Sequence, residues 1–281
     1  MTPAFSKNQS YGRAFKRLVL LAFIPYLSAC ATKNTNRAEP AASTGGSSAP
    51  GVLFEDSMEA DWQENWFLDG QLGLAKHWNG GLYLAGGPMT KWGERAFGVE
   101  QPVEYNAHHV VLWTRQSFAG DIRVSYDFIK QPGSEGANLL YLQAQGIGMP
   151  PYVEDIHAWR ELREIPGMNM YFNYMDLMSL SLRDKIRCRR YPWRDVERGF
   201  EFENRGLFRP MLEHPGIETG TPYHLEVEKR KTSLRLFLRD KASGKVTIDH
   251  TWDLTENLDQ RDPRFIEEGR IGLRLMGGHK I

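Results

Sequence analysis

Cysteine is nearly absent from this 281-residue sequence: only Cys30 and Cys188 occur, which excludes a disulfide-stapled fold and a zinc ribbon or finger. Net charge is lacking too. With 35 Lys and Arg against 35 Asp and Glu, the chain has no electrostatic basis for holding nucleic acid, and none is expected as a partner. No apolar run reaches the ~20 residues of a membrane-spanning helix. No self-similarity recurs at a period of ~20 to 50 residues, so a propeller or solenoid is excluded. Among the eight His, no two stand at a metal-ligand spacing with a nearby acid on one helix, so no catalytic metal or cofactor is expected.

What charge there is falls unevenly. Residues 1–29 carry Lys7, Arg13, Lys16 and Arg17 and no acid, followed by the apolar run Leu18 to Leu27. A basic segment, a short apolar run and then small residues form a secretory leader. Its end, Leu27-Ser28-Ala29-Cys30, resembles a bacterial lipobox, in which the Cys thiol takes a diacylglyceryl group and becomes the new N-terminus. Ala31 at the next position favours the outer membrane, so the expected location is the cell envelope, held there by acyl chains at ~0.8 kcal/mol per buried CH₂. Removing 29 residues leaves 31 bases against 35 acids, a mildly acidic mature chain. Residues 30–51 supply the lipidated Cys30 and a flexible tether rich in Ala, Ser, Thr, Gly and Pro. Residues 52–281 are expected to form one domain.

Period-2 alternation dominates that domain. Ile122, Val124, Tyr126 and Phe128 alternate with polar residues, as do Leu234, Leu236 and Leu238, and Ile271, Leu273 and Leu275. Further strands are expected at Val52–Glu55, Gly81–Ala85, His109–Thr114, Asn138–Gln145, Met168–Met175, Met178–Arg183, Tyr223–Glu228 and Lys245–His250. Strands with one core face and one polar face suit antiparallel sheets. Ten or more of them with little helix predict an all-β, two-sheet antiparallel sandwich. Only Tyr152–Ile165, with Ile156, Trp159 and Leu162 about a turn apart, predicts a helical insertion.

Leu53-Phe54-Glu55-Asp56 with Trp62 and Trp66, Gly81-Leu82-Tyr83-Leu84, and Thr221 to Lys229 followed by Leu234 to Leu238 resemble the concanavalin A-like lectin/glucanase superfamily. Within it, His109 to Trp113 leading into Gly120 to Phe128, with Tyr171 to Ser181 downstream, looks like an uncharacterised bacterial jelly-roll family often encoded beside polysaccharide-degradation genes. The resemblance spans residues 52–281 and implies a jelly roll, in which a structural Ca²⁺ is common. The superfamily's glucanase signature of carboxylates on one strand is missing, since Glu226-Val227-Glu228 lacks the pattern. Arg160-Glu161-Leu162-Arg163 resembles a short motif of jelly-roll alginate lyases, but it lies in the helical insertion rather than on a strand.

Alternation also proposes a site. With Leu140, Leu142 and Ala144 inward, Tyr141, Gln143 and Gln145 face outward; Ser179, Ser181 and Arg183 do so on the next strand, and Asn169, Tyr171 and Asn173 on the segment Met168–Met175. Phenols, amides and hydroxyls suit a carbohydrate, which needs two-way hydrogen bonding and ring stacking. Arg183, Lys185, Arg187, Arg189, Arg190, Arg194 and Arg198, with Asp184, Asp195 and Glu197 among them, form a basic cluster whose Arg forks suit the carboxylates of an anionic glycan. For such a substrate the expected reaction is β-elimination, with Tyr171, Tyr141 or His157 as acid and base and Arg187 as neutraliser of the enolate. Gln143, Gln145, Asn169, Asn173, Tyr174, Ser181, Arg183 and Arg190 are then substrate contacts. A non-catalytic glycan-binding lipoprotein, or a glycoside hydrolase of the same fold, is the alternative.

Overall fold

A computed structural model of the chain describes residues 18–22, 51–88, 102–195, 199–201, 205–213, 215–256 and 265–281. The segments expected to form a leader and a tether lie outside them except for residues 18–22 and 51, and so does Cys30. The strands are β1 (Leu18–Ala22), β2 (Val52–Asp56), β3 (Trp66–Asp69), β4 (Leu74–His77), β5 (Leu82–Ala85) and β6 (Val110–Ala119). Next come β7 (Ile122–Ile129), β8 (Asn138–Gly146), β9 (Met175–Leu182), β10 (Lys185–Tyr191), β11 (Arg194–Asp195) and β12 (Phe200–Glu201). The last are β13 (Leu207–Glu213), β14 (Pro222–Lys229), β15 (Ser233–Asp240), β16 (Val246–Asp253) and β17 (Glu268–Leu275).

Six of these form one sheet in the order β16-β15-β14-β7-β1-β2, and seven the other, β13-β10-β9-β8-β17-β6-β3. Neighbours in both are antiparallel, and the two sheets make the expected sandwich. Alternation is the cause: Ile122, Val124, Tyr126 and Phe128 of β7 and Leu234, Leu236 and Leu238 of β15 are buried, and they share one core with Leu140, Leu142, Met178 and Leu180 of the opposite sheet. β1, the first half of the apolar run Leu18 to Leu27, lies between β7 and β2, with Leu18, Leu20 and Ala22 registered against Tyr126, Val124 and Ile122. No helix among the described residues is long and apolar enough to cross a membrane.

Two sequence expectations need correction. Met168–Tyr174 is an α-helix, not a strand, and β9 begins only at Met175. With the short 3-10 segment Ile156–Arg163, it forms the insertion joining β8 to β9. Only Tyr171 of the helix is buried, so Asn169, Tyr171 and Asn173 do not share a strand face.

The second correction concerns β8. Leu142 pairs with Met178 but Gln145 pairs with Asp176, so one extra residue bulges out of the strand. Gln143 takes the bulge with φ +51°, and the parity reverses beyond it. Ala144 therefore faces the outer layer and Gln145 the space between the sheets, opposite to simple alternation. Gly269 of β17 fits against this bulge. Its φ is +140°, and an added Cβ would stand 2.3 Å from the Gln143 carbonyl carbon and 2.5 Å from the Ala144 oxygen. Gly269→Ala is therefore expected to destabilise the fold by at least ~1–3 kcal/mol, read as a lower denaturant midpoint at unchanged slope.

Candidate functional site

The outer face of the seven-stranded sheet is where sequence alternation places Tyr141, and the structure agrees on the direction. That face, however, is roofed. Tyr141, Tyr171, Trp113, Phe67, Met175, Leu177 and Tyr191 form a second buried cluster with Ile156 and Trp159 of the insertion. Trp113, Tyr141 and Tyr171 stack with ring centroids 5.5 to 6.4 Å apart. At its centre, Asp69 Oδ2 accepts hydrogen bonds from Trp113 Nε1 at 2.7 Å, Arg163 Nε at 2.6 Å and the Tyr171 hydroxyl at 3.1 Å. Arg163 also donates to the carbonyls of Ile156 and Trp159. Arg274 of β17 lies 4.4 Å over the Tyr171 ring and donates to the Pro166 carbonyl and to His109 Nδ1. An arginine has only donors, so His109 Nδ1 must be the acceptor there. Burial, then the Arg274 charge, lowers His109 to about 2, which keeps the ring neutral.

This environment overturns the assignment of Tyr171 and Tyr141 as acid and base. Both are fully buried. Burial, reinforced by the Asp69 charge, raises Tyr171 well above the ordinary phenol range, and burial raises Tyr141 likewise. Phenols held protonated and away from solvent serve as donors and packing surfaces rather than as bases for a polymer.

The other expected contacts are scattered. His157 is half-buried, edge-on to Phe67 at 4.7 Å, and burial and Arg160 lower its pKa. Arg187 is committed to Asp184, with contacts of 2.9 and 3.2 Å. Tyr174 stacks on Tyr152 at 3.9 Å. Asn169 is exposed on the helix, while Asn173 and Ser181 are half-buried. Gln143 is fully buried and its amide donates to the carbonyls of Phe118, Gly120 and Glu267, so it braces the bulge instead of meeting a ligand.

Gln145 and Arg190 do converge. Arg190 pairs with Met178 across β10 and β9 and so faces between the sheets, as Gln145 does after the bulge. Together with Asp176, Lys231, Phe265, Ile266 and Glu267 they line a cavity of about 400 Å³ at one end of the sandwich. Lys231 Nζ lies 3.3 Å from Glu267. Nearby on β14, Lys229 is buried; burial lowers its amine to about 8 against the opposing pull of Glu267 and Asp121. Carboxylates, cations, an amide and one aromatic ring thus surround a single opening, a set that can both donate to and accept from hydroxyl groups.

Sequence reasoning missed Asp176, Lys231, Phe265 and Glu267. Asp176 carried a signal: it is a lone acid in the apolar stretch Met175-Asp176-Leu177-Met178. Among the described residues no group of three or more His, Cys, Asp or Glu is placed to hold a metal ion. Cys188 is buried and unpaired, and burial pushes its thiol up.

No family model and no curated protein matches the sequence. Among solved structures, the chain is similar to the carbohydrate-binding module CBM66 from Bacillus subtilis, at 14% identity and a TM-score of 0.41 over 77% of this chain and 91% of that one. It is also similar to winged bean acidic lectin complexed with methyl-α-D-galactose (10% identity, TM-score 0.44, 77% and 89% covered). A third is the metal-free carbohydrate recognition domain of Emp46p (14%, 0.44, 79% and 88%). Likenesses this distant carry nothing about what this chain binds.

Asp69→Ala would leave Arg163 buried without its counter-charge and two further donors unmet. A loss of ~3–5 kcal/mol in unfolding free energy is expected, measured by urea titration. Tyr171→Phe removes one of the three bonds and should cost only ~1 kcal/mol.

Proposed function

We propose that this protein is a glycan-binding lipoprotein of the bacterial cell envelope, and that it takes an extracellular, uronate-containing polysaccharide at the end cavity lined by Gln145, Asp176, Arg190, Lys231 and Glu267. One observation carries the reading: two residues picked from the sequence as substrate contacts, Gln145 and Arg190, meet at that opening with further charged groups. Hydroxyls of a sugar find acceptors in Asp176 and Glu267 and donors in Gln145, Arg190 and Lys231; Arg190 and Lys231 supply positive charge for a carboxylate. Binding is favoured over elimination because the phenols that would move the proton are sealed under the insertion.

Affinity electrophoresis through gels carrying uronic-acid or neutral polysaccharides tests this. Wild-type protein should be retarded by the acidic polymers, with no growth in the ultraviolet absorbance of unsaturated uronate ends. Lys231→Gln combined with Glu267→Gln should weaken retardation about tenfold, the loss of roughly one charge-assisted contact. Folded protein that binds no polymer of a broad panel would overturn the reading. Shortened polymer with unsaturated ends would replace it with the lyase.

The envelope location rests on the basic leader and on Leu27-Ser28-Ala29-Cys30. Cleavage before Cys30 takes β1 with it and leaves β7 and β2 without the strand between them. In a host cell, Cys30→Ser should abolish incorporation of labelled fatty acid and release the protein from the detergent-soluble membrane fraction. Labelling that persists in that variant would refute the anchor.

A further inference from the structure

A second cavity, of about 300 Å³, opens at the other end of the sandwich. Asn138 lines it and Gln145 lines the first, at opposite ends of β8 and roughly 20 Å apart at ~3.3 Å per residue. One sugar unit cannot fill both.

Its wall is chemically odd for the mouth of a hydrophobic core. Asn138 pairs with Leu182, a core residue, so it occupies a position facing between the sheets. Only 6% of it is exposed, and its side-chain amide, which makes no hydrogen bond to a described residue, meets solvent at this opening. His279, also buried, spends Nδ1 on the Glu135 carbonyl at 3.1 Å. Burial lowers its ring to about 4, so near neutral pH Nδ1–H donates and Nε2 remains an acceptor.

Two cations line the same opening. Lys130 follows β7 and Arg183 follows β9, and neither makes an ion pair with a described residue. The carboxylate on the same wall, Asp184, feels the Arg183 charge but makes no ion pair with it. It is held by Arg187, and that hydrogen bond lowers its pKa to about 2.

We propose that this second cavity binds a hydroxylated sugar acid, its carboxylate held by Arg183 and Lys130 and its hydroxyls by Asn138 and His279. Arg183 offers a planar fork to the two carboxylate oxygens, and Lys130 adds a point charge. Asn138 can donate and accept, and His279 accepts. A simple oxyanion would satisfy the cations alone, whereas a sugar acid uses all four groups. The assignment is independent of the first cavity and stands whether or not a polymer binds there.

Titration of the full chain with methyl glucuronide, methyl glucoside and inorganic sulfate, followed by amide NMR, tests it. The glucuronide should shift the Asn138 side-chain amide saturably, with the glucoside and sulfate each at least tenfold weaker. Arg183→Gln and Lys130→Gln should each weaken the glucuronide about tenfold, and Glu267→Gln at the far cavity should leave it unchanged. Both cations are partly solvent-facing, and the spectra report directly whether each variant is folded. Equal affinity for the glucoside, sulfate as tight as the glucuronide, an unmoved Asn138 amide, or full affinity in both charge variants would each overturn the proposal. Failure of polymer retardation with the Asn138 shift intact would strike only the first cavity.

Discussion

The carboxylate of Asp69 receives three hydrogen bonds from three distant parts of the chain: Trp113 on β6, Arg163 in the 3-10 segment and Tyr171 in the helix after it. A charge this deep is costly, and it is tolerated because Arg163 balances it and donors saturate one oxygen. The same bonds clamp the insertion onto the sheet. Arg274 adds a second fastening, reaching from β17 to the Pro166 carbonyl and lying over Tyr171. With the insertion clamped, the broad face of the seven-stranded sheet becomes interior, and openings remain at the two ends of the sandwich.

Those ends are shaped by where strands stop obeying period 2. The Gln143 bulge turns Gln145 toward the space between the sheets, where it meets Asp176 and Arg190. The amide of Gln143 then ties three carbonyls together behind the cavity, among them that of Glu267, whose side chain stands on its rim. Gly269 permits the approach of β17 that this packing needs. At the opposite end no bulge intervenes: Asn138 on β8 holds an inward-facing position opposite Leu182, and Arg183 joins it at the opening from just past the end of β9. The two openings thus differ in character. One mixes acids with bases, and the other sets two cations beside an amide and a neutral imidazole.

Much of the sandwich could be read from residue order. Ile122 to Phe128 and Leu234 to Leu238 alternate and pack as alternation requires. The insertion was legible too, in the spacing of Ile156 and Trp159. The segment Met168–Met175 misled because Met, Phe and Tyr alternate there as a strand would, while Met168–Tyr174 is a helix that buries Tyr171 alone. Tyr141 was assigned to its true face, but alternation reports only that a side chain points away from one core. It is silent on whether another layer covers it.

The sequence by itself determined the two-sheet architecture, the placement of most strands and the residue types available for ligands, because hydrophobic periodicity is local and survives without knowledge of partners. Tertiary structure decided which of those residues meet. Tyr141 and Tyr171 lost their access to solvent through an aspartate 102 residues before Tyr171, and Gln145 and Arg190 gained a common opening through a one-residue bulge. Both outcomes depend on long-range contacts and on register, quantities that no window of local sequence contains.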